Sequence, residues 1–373
     1  MAQIALRGIS KNFGETPAVV DVDLDIADRS FHTLLGPSGC GKTSTLRMIA
    51  GLEKPSAGSI VIGERTMYSD REGVTVPPAR RDVGLIFQDY ALWPHMNVTA
   101  NVGFGLEVRR IGKSARKERV ESILERVQLA GMGDRMPGEL SGGQQQRVAM
   151  ARMLVVEPSV LLMDEPLSNL DAKLRLSMRS ELKRLHREIG ATTVYVTHDQ
   201  REALEMSDMV TVMHQGRIQQ TASPTELYEH PTSLFVAGFV GSPSMNLLNG
   251  IARGRAGGQL ALEVVGIGNL SLQVEGDTRM EPGQEVVVGF RPEDIALLPE
   301  SADESTITGI ARTVLPAGSE TFVEVQVRDA VLTVRLDRRT KVEMQSRVRI
   351  DLSRAQAHIF ERSTGSILAR SAT

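Results

Sequence analysis

Residues 36–43 read Gly36-Pro-Ser-Gly-Cys-Gly-Lys42-Thr43, a glycine-rich stretch that decides the fold of the N-terminal part of the chain. An apolar run at residues 33–35 precedes it, and a helix-forming stretch at residues 45–50 follows it. A strand, a glycine-rich loop and a helix in this order form a phosphate loop, because backbone N–H groups and the helix N-terminus converge on phosphate oxygens. The stretch therefore predicts a triphosphate site, with Lys42 at the outer phosphates and the Thr43 hydroxyl at Mg²⁺. The residues expected to contact the nucleotide are Gly36, Pro37, Ser38, Gly39, Cys40, Gly41, Lys42, Thr43 and Ser44.

Apolar, β-rich runs alternate with helical patterns from residue 1 to about residue 235. The runs lie at residues 32–35, 83–87, 160–163 and 192–196. One helix candidate has apolar residues at positions 120, 123, 124 and 127, and another at positions 174, 178, 182, 185 and 189. Ser168 and Asn169 precede the second helix as possible N-caps. Strands that alternate with helices predict an α/β domain around a mainly parallel sheet.

The apolar run at residues 160–163 ends in two carboxylates, Asp164 and Glu165. In a phosphate-loop enzyme, Asp164 would hold Mg²⁺ through its water shell, and Glu165 would orient and deprotonate the attacking water. A buried strand that merely ends in acidic turn residues is the alternative interpretation of this pair.

The character of the chain changes after about Gly238. Residues 323–327 (VEVQV), 332–336 (LTVRL) and 348–352 (VRIDL) alternate apolar and polar side chains, as half-buried strands do. Turn signals separate them, so a small β-barrel of the oligonucleotide/oligosaccharide-binding (OB) type is predicted. Residues 240–373 carry 15 Lys and Arg against 17 Asp and Glu, with Phe290, Phe322 and Phe360 as their aromatic residues. This composition argues against a nucleic-acid platform.

The composition limits the classes of function. A length of 373 residues, with 41% hydrophobic and 24% charged residues, predicts a globular chain of two domains. The formal net charge of -3 provides no basic field for nucleic acid. No apolar run is long enough for a membrane span, and the first residues do not resemble a secretory signal. Cys40 is the one cysteine, which suits a reducing cytoplasm, and we expect thiolate character there because it lies near a helix N-terminus.

Residues 140–146, Leu-Ser-Gly-Gly-Gln-Gln-Gln, resemble the signature motif of the ATP-binding-cassette (ABC) ATPases. The resemblance implies that Ser141 and Gly143 of one protomer, with Gly142 and Gln144 in the same turn, face the γ-phosphate held by the partner's phosphate loop. Two such chains, most simply a homodimer, would then enclose two ATP molecules.

Other residues occur in the order typical of this family. Gln88, after the run at residues 83–87, resembles the glutamine that contacts Mg²⁺ or water and senses the membrane partner. Asp171 resembles the loop aspartate that communicates between the two sites. His198 resembles the switch histidine at the γ-phosphate; alone, it would be interpreted as a surface group. Phe13 occupies the place of the aromatic that stacks on adenine, and a packed strand residue is the alternative.

Strings along the whole chain resemble the ATPase subunits of maltose/sugar-type importers. They are residues 88–96 (QDYALWPHM), 235–246 (FVAGFVGSPSMN) and 289–293 (GFRPE). The resemblance implies an ABC ATPase domain over residues 1–237, with a helical subdomain at about 89–155, and an OB-like (TOBE) regulatory β-domain over residues 238–373. It also implies a peripheral position on the cytoplasmic face of a bacterial inner membrane. Two membrane-spanning permease subunits would be direct partners, and a periplasmic or surface solute-binding protein an indirect one, with no nucleic acid.

Three alternatives remain open at this point. The chain could serve an iron- or polyamine-type importer, which shares the cassette. It could be a nucleic-acid-dependent soluble ABC ATPase, or a nucleotide-binding regulator without hydrolysis.

Trp93, the one tryptophan, lies where the family receives a helix of the permease, and a core tryptophan is the alternative there.

Overall fold

The computed structural model describes residues 2–256, 259–274, 280–298 and 307–371. The chain divides into two compact units, Met1–Thr225 and Glu226–Thr373. In the described part of the first unit the strands are β1 (Ile4–Phe13), β2 (Thr16–Ile26), β3 (Phe31–Leu35), β4 (Ala57–Ile62), β5 (Arg65–Ser69), β6 (Val74–Thr75), β7 (Val83–Ile86), β8 (Val160–Asp164), β9 (Thr192–Thr197), β10 (Met209–His214) and β11 (Arg217–Ala222). The helices are α1 (Lys42–Ala50), α2 (Val98–Val108), α3 (Lys113–Arg126), α4 (Gly142–Leu154), α5 (Ala172–Ile189) and α6 (Gln200–Met206), and α7 (Pro224–Glu229) spans the division.

The central sheet of the first unit has the strand order β11-β10-β3-β9-β8-β7. The pairs from β10 to β7 are parallel, and only the pair of β10 with β11 is antiparallel. The four apolar runs noted in the sequence are β3, β7, β8 and β9, so the prediction of a mainly parallel α/β sheet is confirmed.

Strand β8 shows why these runs are apolar throughout. Leu161 and Met163 pack into a core with α2, α3, α4 and α5. Val160 and Leu162, which point to the other face, pack into a core with α1 and strands β1, β2 and β4. A strand covered on both faces cannot alternate apolar with polar residues, so it has a continuous apolar run.

A second sheet in the first unit, of order β2-β1-β4-β5-β6, is antiparallel and was not predicted. Its strands alternate buried with more exposed residues, as β2 does over its C-terminal half. One-sided burial of this kind gives a weaker apolar signal than the continuous runs of the central sheet.

Helices α2, α3 and α4 pack against one another between β7 and β8 in the chain. Helix α4 begins at Gly142, inside the signature stretch at residues 140–146. The N-cap prediction for α5 was wrong: Asp171 rather than Ser168 or Asn169 caps this helix, and its carboxylate accepts from the backbone N–H of Leu174 at 3.0 Å. No helix in the described residues is both long enough and apolar enough to span a membrane.

Besides the end of α7, the second unit contains the short helix α8 (Leu234–Phe239), and its other described elements are strands. Its strands are β12 (Asn246–Ala256), β13 (Gln259–Val264), β14 (Gly268–Leu272), β15 (Glu285–Phe290), β16 (Ala296–Leu298), β17 (Ile307–Pro316), β18 (Glu320–Val327), β19 (Ala330–Asp337), β20 (Arg347–Asp351), β21 (Ala357–Glu361) and β22 (Ile367–Arg370). They form two antiparallel sheets, β14-β13-β12-β15-β21-β22 and β16-β20-β17-β18-β19, around a shared apolar core. The three predicted strands correspond to β18, β19 and β20.

Candidate nucleotide site

The predicted catalytic residues meet at one edge of the central sheet. Strands β3, β9, β8 and β7 are consecutive neighbours and run parallel, so their carboxyl ends lie together. The phosphate loop follows β3, and His198 follows β9. Asp164 ends β8 with Glu165 next to it, and Gln88 follows β7. Ligands of open α/β sheets bind outside the carboxyl ends of the strands, so this edge is the candidate site.

Glycines in the phosphate loop are required by close backbone contacts. A Cβ at Gly36 would lie 2.3 Å from the carbonyl oxygen of Met213. At Gly41, where φ is 102°, a Cβ would lie 2.5 Å from the carbonyl oxygen of Ala18. Larger side chains therefore cannot replace these two glycines without moving the backbone.

Lys42 is held inside the loop. Its ammonium donates to the carbonyl oxygen of Gly36 at 2.8 Å and to that of Pro37 at 3.0 Å, and the residue is 4% exposed. These contacts keep the positive charge of Lys42 within the phosphate loop. The sequence predicts that this charge lies at the outer phosphates.

The expectation of thiolate character at Cys40 was wrong. The side chain is buried, and burial raises the pKa of the thiol, although the nearby charge of Lys42 acts in the opposite direction. Removal from water disfavours the charged thiolate, and here this effect exceeds the attraction of the cation.

A hydroxyl and a carboxylate meet beside the loop. Thr43 Oγ1 donates to Asp164 Oδ1 at 2.9 Å, although the two residues lie 121 positions apart in the sequence. Burial raises the pKa of Asp164, and the hydrogen bond from Thr43 and the charge of Arg47 oppose the rise. The sheet thus places both predicted metal-binding oxygens at one point.

Next to this pair, Glu165 Oε2 and His198 Nδ1 lie 3.0 Å apart. The backbone of Glu165 is left-handed, with φ of 45°, and its N–H donates to the carbonyl oxygen of Val196 at 3.0 Å. A non-glycine residue in this conformation is strained, and such strain is typical of functional sites. The turn directs the adjacent carboxylates to different partners, Asp164 to Thr43 and Glu165 to His198.

Gln88 is linked to the other loops by a residue that the sequence analysis did not assign to the site. The Asn169 side chain donates from Nδ2 to the backbone oxygen of Gln88 at 3.2 Å. The sequence offered Asn169 as a helix cap, and its position between the carboxylates and Asp171 was the only available signal.

Ser141 and its neighbours belong to none of these loops. Ser141 caps α4, and a reciprocal capping box joins it to Gln144, whose side-chain Oε1 accepts from the Ser141 N–H at 2.9 Å. A Cβ at Gly143 would lie 2.7 Å from a methyl carbon of Leu174, so the turn packs directly on α5. Gly142 begins α4 in the same turn.

Phe13 ends β1 and is 51% exposed. Its ring is not in the core, and the ammonium of Lys11 lies 5.0 Å from the ring centroid. Trp93, in contrast, is half-buried, with its ring 4.5 Å from that of Phe104.

A buried polar cluster supports the His198 loop. The Glu202 carboxylate accepts from the Tyr195 hydroxyl at 2.8 Å and from the Thr197 hydroxyl at 2.6 Å. Burial raises the pKa of Glu202, and the two hydrogen bonds oppose the rise. Arg175 donates to Asp199, which follows His198, and to the carbonyl oxygen of Leu170. No motif in the sequence marks the members of this cluster.

The donor set beside the loop fits Mg²⁺ bound with a nucleotide. In the part of the chain that the structure describes, no three acidic, histidine or cysteine side chains form a metal cluster. Mg²⁺ in nucleotide sites needs only one or two protein ligands, because phosphates and waters complete its octahedron. The half-buried Thr43 and the buried Asp164 provide a hydroxyl and a carboxylate of this kind.

Family models match three parts of the chain. The model described as ABC transporter matches residues 19–168, the one described as MalK OB fold domain matches residues 241–295, and the one described as TOBE domain matches residues 288–360. The first match includes the phosphate loop, Gln88, the signature stretch and the carboxylate pair.

Relatives match over nearly the whole chain. The trehalose/maltose import ATP-binding protein MalK of Thermococcus litoralis is 43% identical over 98% of this chain and 99% of its own length. An sn-glycerol-3-phosphate import ATP-binding protein, UgpC 1 of Rhizobium johnstonii, is 42% identical over 99% of this chain and 96% of its own length. Among solved structures, the dimeric ATP-binding cassette MJ0796 bound to ADP and phosphate is 31% identical, with a TM-score of 0.52 over 59% of this chain and 98% of that one.

These matches confirm the resemblance stated from the sequence, in both the cassette and the C-terminal β-domains. Both relatives are import ATP-binding proteins, which favours the importer over the nucleic-acid-dependent ATPase. The chain therefore belongs to the family of import ATP-binding proteins of ABC transporters, which are ATPases coupled to transport.

Proposed function

We propose that the chain hydrolyses ATP at the edge formed by β3, β9, β8 and β7, and thereby drives uptake of a carbohydrate or related polar solute. One observation carries the proposal: two polar contacts, Thr43–Asp164 and Glu165–His198, lie next to each other at the carboxyl end of β8 and its neighbouring strands. One pair offers oxygens for a metal-bound triphosphate, and the other offers a base, Glu165, beside a histidine that can contact the phosphate.

The roles of the residues follow from this geometry. The triphosphate lies along the N–H groups of residues 36–44, with the Lys42 ammonium at its outer oxygens. Glu165 accepts the proton of the attacking water, and His198 both orients that carboxylate and contacts the γ-phosphate. Thr43 would hold Mg²⁺ directly, with Asp164 and Gln88 as its further partners, and the ion would neutralise charge on the phosphates.

Adenine would stack on Phe13, whose exposed ring can accept it. The signature residues Ser141, Gly142, Gly143 and Gln144 would complete the site of a second copy of the chain, with Asp171 between the two sites. Support for the pairing comes from the family and from the dimeric cassette to which this chain is similar.

The family also supports a position at the membrane. Two membrane-spanning permease subunits would hold the dimer at the cytoplasmic face of the cell membrane, which is the inner membrane in a bacterium. A solute-binding protein would deliver the solute from the other side. The two relatives are named for different solutes, trehalose/maltose and glycerol-3-phosphate, so only the class of a polar solute is proposed.

Substitution Glu165→Gln tests the catalytic assignment. It removes the base and keeps the size of the side chain, so steady-state hydrolysis should fall at least a hundredfold while ATP binding is retained. Glu118→Gln, at an exposed position of α3, is the matched control and should change neither property. Hydrolysis by the Glu165 variant at the rate of the control would contradict the assignment.

A complementation experiment tests the shared site. A Lys42→Ala chain keeps its signature turn, and a Ser141→Arg chain keeps its phosphate loop. If each site uses parts of two chains, mixing the two inactive variants assembles one intact site per mixed dimer. Hydrolysis should then reappear on mixing. If the mixture is no more active than its components, the sites are not shared.

The solute can be found with the complete transporter. Co-purification with the permease and the solute-binding protein, followed by a thermal-shift screen of sugars and polyols on the binding protein, should identify a stabilising ligand. Stabilisation by ferric iron or polyamines, and not by sugars, would instead identify the alternative type of importer.

A further inference from the structure

The loop that carries Gln88 has an unusual backbone. Tyr90 and Ala91, two and three residues after Gln88, have φ of 60° and 46°. The left-handed conformation is unfavourable for a residue with a Cβ, so two consecutive residues in it need support from their surroundings.

Arg152 provides contacts at both strained residues. It lies in the last turn of α4 and is 6% exposed. Its Nη1 donates to the carbonyl oxygen of Ala91 at 2.6 Å, and its Nη2 donates to that of Tyr90 at 2.8 Å. The guanidinium carbon also lies 4.8 Å from the centroid of the Trp93 ring. A planar fork with two donors can hold two adjacent carbonyls in one geometry, which a single ammonium cannot do as well.

The far end of the loop is held separately. Asn101, fully buried in α2, accepts from the Trp93 N–H at 2.9 Å and donates to the carbonyl oxygens of Trp93 and Met96 at 3.1 and 2.8 Å. Asn101 therefore fixes the part of the loop near α2. The part next to Gln88 is the one that contacts Arg152.

The two ends of helix α4 contact different parts of the proposed site. Ser141 caps its first turn in the signature stretch, and Arg152 occupies its last turn. Hydrogen bonds therefore link the last turn of this helix to Tyr90 and Ala91, which follow Gln88 closely in the chain.

We propose that Arg152 is a positioning residue, which holds the Tyr90–Ala91 backbone so that Gln88 reaches the metal-bound triphosphate. The inference rests on the proposed role of Gln88 at Mg²⁺. The inference predicts that loss of Arg152 weakens Mg²⁺ binding, and that this effect is no larger than the effect of losing Gln88.

The test uses the full chain with Glu165→Gln, which allows ATP to be held without turnover. At a fixed ATP concentration, the rise in melting temperature is followed while Mg²⁺ is titrated, since a ligand stabilises the state that binds it. Arg152→Met should raise the Mg²⁺ concentration at the half-maximal shift roughly tenfold, within the range of coupled neighbours. Gln88→Ala should have a similar effect, and both substitutions together should have no more effect than Gln88→Ala alone.

Two further variants separate positioning from general stability. Arg152→Lys keeps the positive charge but cannot hold both carbonyl oxygens as well as the planar guanidinium does. Its effect should therefore be smaller than that of Arg152→Met. Arg147→Met removes an arginine of the same helix that pairs with Glu181, and it should leave the Mg²⁺ dependence unchanged even if the melting temperature falls.

The outcomes distinguish the proposed role of Gln88 from that of Arg152. If Gln88→Ala does not change the Mg²⁺ dependence, the proposed role of Gln88 is wrong. If Gln88→Ala changes it and Arg152→Met and Arg152→Lys do not, the inference about Arg152 is wrong. Effects of Arg152→Met and Gln88→Ala that multiply would also overturn the inference, since independent action is what a merely structural residue produces.

Discussion

Asn169 donates a hydrogen bond from Nδ2 to the backbone oxygen of Gln88, 81 positions earlier in the chain, at 3.2 Å. The segment between Glu165 and Asp171 is therefore joined to the loop after β7. Asn169→Leu removes the donor at nearly constant size, and a lost hydrogen bond of about 0.5–1.5 kcal/mol corresponds to a decrease of about two- to tenfold in kcat. KM for ATP should not change. Steady-state kinetics would check this, and Asn169→Gln, which retains an amide, should recover part of the rate.

His198 contacts Glu165 and lies at the end of β9, so its loss should affect the chemical step more than nucleotide binding. We expect His198→Ala to lower the single-turnover rate of ATP cleavage at least tenfold, in the range of general catalytic contributions. His95→Ala, at an exposed position of the loop after β7, serves as the control. Equal rates for the two variants would remove His198 from the proposed mechanism.

Asp164 should make the protein sensitive to pH in a defined direction. Burial raises the pKa of this carboxyl, so the folded chain binds the proton more tightly than the unfolded chain does. Its contribution to stability is therefore complete below the unfolded pKa and is lost as the pH rises through the folded pKa. Asp164→Asn, which can still accept from Thr43, should raise the melting temperature at pH 7, with a gain that shrinks on acidification. The same variant should lose Mg²⁺-dependent hydrolysis. A lower melting temperature at pH 7 would contradict this account.

Cys40 should react slowly with alkylating reagents. The thiol is buried and its pKa is raised, so both access and the thiolate fraction are low at neutral pH. Incorporation of iodoacetamide, followed by mass spectrometry, should be slower than for a free cysteine and should accelerate as the pH rises. Rapid stoichiometric labelling at pH 7 would show that the loop opens far more often than this packing implies.

Trp93 provides a test of permease docking. Its ring packs on Phe104, which is itself partly exposed, so the two rings form an apolar surface beside the Gln88 loop. Trp93→Ala should reduce co-purification of the permease while ATP binding by the isolated chain is retained. Phe235→Ala, on α8 in the second unit, is an aromatic control, and the assignment fails if both variants assemble as the unchanged chain does.

The sequence predicted the parts of the site that have a local signature. The phosphate loop could be recognised because its glycines are needed for close backbone approach, as the contacts of Gly36 and Gly41 show. The runs that became β3, β7, β8 and β9 were recognisable because burial on both faces leaves no polar position. The order of these strands in the sheet then brought the predicted residues to one edge.

What could not be predicted depends on contacts between distant segments. Asn169 resembles a cap until its amide is seen against Gln88, and Arg152 resembles an ordinary helix residue until its two carbonyl partners are known. The thiol of Cys40 was misjudged because sequence shows the helix N-terminus but not the degree of burial. The antiparallel sheet was missed since one-sided strands carry a weak pattern.

The second unit has a topological consequence for how it folds. The matched segments 241–295 and 288–360 do not correspond to separate sheets, since β21, from the second segment, pairs with β15 of the first. The side-chain amide of Asn246 also donates to the carbonyl oxygen of Thr333 and accepts from its N–H. These two hydrogen bonds connect β12 to β19. Cleavage of the chain within residues 288–295, where the two matched segments overlap, would leave both parts with exposed apolar faces and unpaired edges. The whole unit should therefore unfold as one cooperative block, and neither family segment should be stable when expressed alone.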